Sequence, residues 1–261
     1  MRIALGLEYD GAPFCGWQHQ PSGCGVQDHL EAALASFADA PIATVAAGRT
    51  DAGVHARAQV VHFDTTAERE EIAWVRGPNS SLPGPIRVVW ARRVHAEFHA
   101  RHHALSRTYQ YLLLDDAVAP AILRTKAGWF HKRLDVAAMQ EAARQLPGER
   151  DFSAFRDAQC QARSPVRVLH EATVERVGTL VVFTLRANAF LHHMVRNVVG
   201  SLVYVGAGRQ PPGWIGELLA GRDRRLAAPT FAPDGLYLAG IEYDRSLGLP
   251  AFRPNPLLPS P

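Results

Sequence analysis

Lysine is almost missing from this chain of 261 residues: Lys126 and Lys132 are its two examples, and the other 26 basic residues are arginine. Positive charge is therefore carried by planar guanidinium groups, which grip phosphate in bidentate fashion and stack on bases. Cysteine is scarce as well. Cys15, Cys24 and Cys160 are too few and too scattered for a disulfide framework, and none forms a C-x-x-C pair of the kind that holds structural zinc. All three are expected to be free thiols in a reducing compartment. Long apolar runs are absent too: the stretch 198–207 is broken by Gly200, Ser201 and Gly206 and falls short of the ~20 residues that span a bilayer. The N-terminus alternates Ile3, Leu5, Leu7 and Tyr9, which predicts a strand and not the continuous apolar region of a signal peptide. Together these absences point to a soluble, cytoplasmic protein with no membrane association.

A net charge of +3 is too small to imply an acidic partner, but its distribution is uneven. From Arg87 to Arg107 there are five arginines and four histidines against one acid, Glu97, a balance that suits an RNA-facing surface. With 47% hydrophobic and 20% charged residues, the chain can build a sizeable core in one large domain or two small ones. Periodicity predicts strands at about 2–9, 58–64, 86–95, 107–114, 166–177, 179–187 and 236–244, and helices at about 26–37, 136–146, 191–206 and 213–220. One helix face carries Val26, Leu30, Ala33, Leu34 and Phe37; another carries Val136, Met139, Ala143 and Leu146. Strands interspersed with single helices argue for an α/β or α+β sheet with helices on one face. The expected domains are 1–104, 105–247 and a tail, 248–261, in which Pro250, Pro254, Pro256, Pro259 and Pro261 favour an extended or disordered chain.

The chemistry begins at 48–56, Gly-Arg-Thr-Asp-Ala-Gly-Val-His-Ala. Glycines flank an arginine and a carboxylate two residues apart, and in an extended segment Arg49 and Asp51 project to the same side. An Asp before Ala-Gly also commonly shapes a turn. This stretch resembles the catalytic motif of the tRNA pseudouridine synthase A family, and further matches run through nearly the whole chain. Tyr9-Asp10-Gly11, Gly16-Trp17-Gln18, Asn79-Ser80-Ser81-Leu82-Pro83 and Phe98-His99-Ala100-Arg101 follow in the family's order. So do Arg107-Thr108-Tyr109-Gln110-Tyr111, the run from Cys160 to Arg167, Phe190 to Asn197, and Gly235-Leu236-Tyr237-Leu238. Three positions depart from the pattern. His192 stands where an aromatic tyrosine is usual, Arg57 where a small residue is common, and Val26 where threonine is typical.

The resemblance implies two ferredoxin-like α/β domains joined through a continuous, mostly antiparallel sheet. It further implies a homodimer that converts uridine to pseudouridine at positions 38, 39 and 40 in the anticodon stem-loop of tRNA. Asp51 would be the nucleophile, at ribose C1′ or at base C6, and then the leaving group. Arg196 would be its cationic partner. Arg49 would fill the space left by the flipped base, Tyr109 would stack on the uracil and assist removal of the C5 proton, and Leu236 would wall the base pocket. Phe98, His99, Arg101 and His102, with Gln159, Cys160, Gln161 and Arg163, match segments that meet the RNA. The isomerisation gains no atoms and loses no electrons, so no cofactor is expected. No metal is expected either, because His55 and His62 have no ligand spacing with Asp51. Gly206-Ala207-Gly208 follows a helix and not a strand, which excludes a dinucleotide site. Two rivals remain: a tRNA-binding protein of this fold without chemistry, and a metal-dependent ribonuclease. The intact set Arg49, Asp51, Tyr109 and Arg196 speaks against the first. The absence of clustered carboxylates speaks against the second.

Overall fold

The computed structural model describes residues 1–250. Most of the proline-rich tail, 251–261, lies outside the described residues. The chain forms two compact units, one comprising Met1–Leu105 and the segment that begins at Tyr237, the other Ser106–Leu236.

In the first unit, β1 (Arg2–Tyr9) lies between β3 (His55–Asp64) and β4 (Ile86–Val94), antiparallel to both. The short β2 (Val45–Ala46) pairs with β3 opposite His62 and Val61. Ile3, Leu5, Leu7 and Tyr9 are all buried, as their alternation predicts. α1 (Val26–Ala38) buries Val26, Leu30, Ala33 and Leu34 on its expected face. α2 (Glu71–Ser81) has no counterpart in the periodicity analysis. Trp74 and Pro78 are its buried residues, and Gly77 and Pro78 read as breakers. Tertiary packing overrides that weak propensity: Trp74, fully buried, meets Phe37 and Phe63 edge-on, each at 5.2 Å.

In the second unit, β5 (Ala104–Asp115) pairs with β9 (Leu180–Ala187), β9 with β8 (Val166–Val177) and β8 with β7 (Gly148–Asp151), all antiparallel. β6 (Gly128–Phe130) adds to β5 in parallel. β6 and β7 are too short to carry a periodic signal. α3 (Val136–Ala143) packs against β8 and against α4 (Met194–Gly206), and α5 (Trp214–Gly221) packs beside them. α4 starts at Met194 and not at 191 because His193 holds a left-handed backbone, φ 58°, which a right-handed helix cannot include.

Ten strands and five α-helices among the described residues give the expected mixed α/β fold with mostly antiparallel pairing. Two sequence expectations are corrected. The last strand, β10 (Leu236–Tyr243), was read as part of a 105–247 domain. From Tyr237 on it belongs to the first unit, where Tyr237 and Leu238 pair in parallel with His55 and Ala56 of β3. Linear order cannot reveal a strand that returns to an earlier sheet. Cys15 and Cys24 are not free thiols but a disulfide, because the intervening loop folds back, Cα–Cα 5.4 Å, and the Cys15 amide donates to the Cys24 carbonyl. Cys160 carries the one thiol outside a disulfide among the described residues. No helix among the described residues is long and apolar enough to cross a membrane.

Candidate active site

Arg49, Thr50 and Asp51 lie in the loop between β2 and β3, and a turn closes after them, the Val54 amide donating to the Asp51 carbonyl (3.1 Å). The Asp-initiated turn is therefore present. Thr50 is buried, its hydroxyl bonded to the Tyr9 hydroxyl at 2.7 Å. Arg49 is exposed and Asp51 half-buried. Burial thus alternates along the segment, exposed at Arg49, buried at Thr50 and half-buried at Asp51. Burial pushes the Tyr9 phenol up to about 12, with bonds to Thr50 and Gln59 offsetting part of the rise, so it holds Thr50 as a neutral group.

The segment 10–17 cradles this loop. The Trp17 amide donates to the Thr50 carbonyl (2.9 Å), and Gln59 Nε2 donates to the Gly48 carbonyl (2.6 Å). A Cβ on Gly11 would stand 2.0 Å from the Val54 carbonyl oxygen. One on Gly16, whose φ is +95°, would stand 2.8 Å from the Thr50 carbonyl oxygen. Glycine is what permits this approach. Nδ1 of buried His55 accepts from the Gly11 amide (3.0 Å) and stands 3.0 Å from Asp10 Oδ1, so which neighbour it serves depends on whether it carries the proton. Its ring stacks on Tyr237 at 4.6 Å. Arg57, one of the departures, is half-buried. Burial lowers its pKa, and the charges of Glu8 and Tyr237 oppose that.

In the second unit, Tyr109 is buried on β5 with Tyr111 and Leu113 on the same face, and it meets Phe190 edge-on at 5.1 Å. Arg196, half-buried in the first turn of α4, donates from Nε to the Phe231 carbonyl (2.8 Å). Leu236 is buried at the start of β10.

The expected RNA-facing segments are divided in character. Arg101 and His102 are exposed and His99 half-buried. Phe98 is corrected: it is 1% exposed and packs on His62, His103 and Tyr243, so it supports the turn and is not a surface contact. The turn is tied down by Arg2, which donates to the Phe98 carbonyl (2.8 Å), and by Tyr243, which donates to the Ala100 carbonyl (2.6 Å). Gln159, Gln161 and Arg163 are exposed and Cys160 half-buried. Arg156 organises that loop from within, donating to the Cys160 and Ala162 carbonyls (2.7 and 2.9 Å). His192 stacks on His193 at 3.9 Å, and its amide donates to the Cys160 sulfur. Burial works against the charge on Asp157, but the Gln159 amide and His193 outweigh it and hold this carboxyl below its usual range. Arg156, Asp157 and His193 were not singled out from the sequence. Their work is local hydrogen bonding, which no residue spacing announces.

The description of a tRNA pseudouridine synthase matches residues 7–102 and 142–244. The chain belongs to that family. Among its relatives, the tRNA pseudouridine synthase A of Methylobacillus flagellatus is 58% identical over 250 residues, 96% of each chain. That of Herminiimonas arsenicoxydans is 58% identical over 253 residues, covering 95% of this chain and 92% of the relative. That of Bordetella parapertussis is 57% identical over 262 residues, covering 100% and 97%.

Proposed function

We propose that this protein isomerises uridine to pseudouridine in tRNA, at positions 38, 39 and 40 of the anticodon stem-loop. The observation that carries this reading is the Arg49–Asp51 segment, where Thr50 is locked inward and a carboxylate and a guanidinium are offered together from a glycine-permitted cradle. The reaction breaks the bond from uracil N1 to ribose C1′, turns the base, and joins C5 to the same sugar carbon. N1 gains a proton and C5 loses one, so atoms and electrons balance within the substrate.

Asp51 is the nucleophile and the later leaving group, a role that needs an ionised carboxylate. Arg196 is its cationic partner. A stacked uridine shields C1′ and C6, so it must be extruded at a cost of a few kcal/mol. Arg49 fills the vacated space, and Tyr109 stacks on the base and assists loss of the C5 proton. Leu236 walls the uracil. The exposed members of 99–102 and 159–163 hold phosphates and sugars, which fixes register without reading sequence and suits a substrate recognised by shape. The protein works in the cytoplasm as a homodimer, with one tRNA touching both subunits.

The test is to incubate unmodified tRNA with purified protein, without added metal or nucleotide, and map pseudouridines before and after. New pseudouridines at positions 38 to 40 are expected. Asp51→Asn should lower the rate by on the order of 10⁴-fold or more while tRNA affinity is kept. Binding without modification by the unaltered protein would replace this reading with that of an inactive tRNA-binding protein.

A further inference from the structure

Asn197, Arg224 and Thr230 form one hydrogen-bonded knot beside Arg196. Arg224 donates from Nη2 to Asn197 Oδ1 (3.0 Å) and Thr230 Oγ1 (3.2 Å), and from Nη1 to the Ala228 carbonyl (2.9 Å). The Thr230 hydroxyl donates to Asn197 Oδ1 (2.7 Å), and Asn197 Nδ2 donates to the Phe155 carbonyl (2.8 Å). Asn197 is fully buried, so the bonds to its side-chain amide satisfy a group that water cannot reach.

The knot fixes the segment 227–231 against α4. That approach is close: a Cβ on Gly200 would lie 2.4 Å from the Pro229 carbonyl oxygen. Phe231 then meets Arg196 twice, its amide donating to the Arg196 carbonyl (3.3 Å) and its carbonyl accepting from Arg196 Nε (2.8 Å). From the other side the Tyr111 hydroxyl donates to the next carbonyl, that of Ala232 (2.9 Å). A guanidinium is a rigid planar fork, so a bond at Nε sets where both Nη groups stand.

We propose that Arg224, acting through Asn197, Thr230 and the Phe231 carbonyl, is a positioning residue that sets the aim of Arg196. The inference deepens the function proposed above and rests on the assignment of Arg196 to the reacting uridine. Arg224 itself makes its bonds to the protein and acts at a distance. A displacement of about 1 Å in a catalytic group costs on the order of 10²-fold in rate, so the effect belongs in the chemical step and not in tRNA affinity.

The experiment is single-turnover kinetics on unmodified tRNA with Arg196→Ala, Arg224→Ala, Thr230→Val and the double variant of the first two. Arg224→Ala should slow the step by roughly 10- to 100-fold with tRNA affinity within about twofold, and Thr230→Val by less. In the Arg196→Ala background, Arg224→Ala should add almost nothing, because its target is gone. An equal slowing by Arg224→Ala in both backgrounds, or none in the first, overturns the positioning role while Arg196 keeps its own. Full activity of Arg196→Ala overturns the assignment of Arg196 instead. Should Arg224→Ala fail to fold, Thr230→Val takes its place in the same cycle with the same criteria.

Discussion

The two units present their charged groups by different means. In the first, Asp51 is placed by backbone: the Trp17 amide grips Thr50, the Val54 amide closes the turn, Gln59 holds Gly48, and two glycines let the cradle come near. In the second, Arg196 is held at its guanidinium by the Phe231 carbonyl, in a segment that the side-chain knot of Asn197, Arg224 and Thr230 ties down. The difference follows from reach. An aspartate has a short side chain, so fixing its backbone nearly fixes its carboxylate. An arginine carries roughly 2 kcal/mol of rotamer entropy and needs a bond at its far end. The placement of Asp51 should therefore be sensitive chiefly to methyl groups added at Gly11 and Gly16, and that of Arg196 to lost side-chain hydrogen bonds as well as to a methyl group at Gly200.

Among changes that test this contrast, Gly11→Ala gives the largest expected effect. Its Cβ would collide with the Val54 backbone, which cannot rotate away as a flexible side chain could. We expect a loss of about 1–3 kcal/mol of stability and a fall in rate on the order of 10²-fold, read by thermal melting and by single-turnover assays. Normal activity and melting would show that the cradle is not what positions Asp51. Arg49→Ala should do less. Arg49 is exposed, and its proposed work is to make flipping favourable, so the rate on a native stem should fall roughly 10-fold or more while a flexible, pre-exposed uridine reacts almost normally. An equal loss on both substrates would assign Arg49 to the chemical step.

Much of this division was legible in the sequence. Alternation located β1 with its bounds, and the face of α1 came from the spacing of Val26, Leu30, Ala33 and Leu34. The glycine-flanked carboxylate at Asp51 fitted a plain turn equally well, and its catalytic reading came from the resemblance to the family. The long-range and the short-range were not. The return of β10 to β3 and the closure of Cys15 onto Cys24 depend on the path of the chain, which leaves no periodic trace. α2 hid because one tryptophan anchors it where local propensity is poor. Phe98 was misread as an RNA contact because its basic neighbours set the character of the segment, while its own type, a large apolar residue, pointed to the core. Arg224 and Thr230 carried no signal at all, since a polar residue in a loop is ordinary until its partners are seen.

Acid should separate the units once more, by the smallest of these effects. His62 of the first unit is 4% exposed, and its Nδ1 accepts from the Ala100 amide (3.1 Å), a bond that needs the unprotonated nitrogen. Burial, with Arg2 and His99 nearby, draws its pKa down to about 4 against the opposing pull of Asp64. An unfolded histidine titrates near 6.5. Between the two values the unfolded chain holds a proton that the folded chain lacks, so this contribution is full above about 6.5 and is lost as pH falls toward 4. The second unit has a different acid limit. Asp115 is buried, and although burial opposes its charge, Arg176, the Leu134 amide and Arg133 together hold its carboxyl below the usual range. That contribution is lost only below the window in which His62 has begun to titrate. Amide protection in β1 and β3, taken relative to the intrinsic exchange rate at each pH, should therefore fall between pH 6.5 and 4.5 before protection in β8 and β9 does. His62→Asn offers an acceptor near the Nδ1 position without titrating, and should flatten the first unit's response. An unchanged slope in that variant would move the effect to another group. A uniform response of both units would remove the contrast between a turn that depends on a neutral ring and a sheet held by an ion pair.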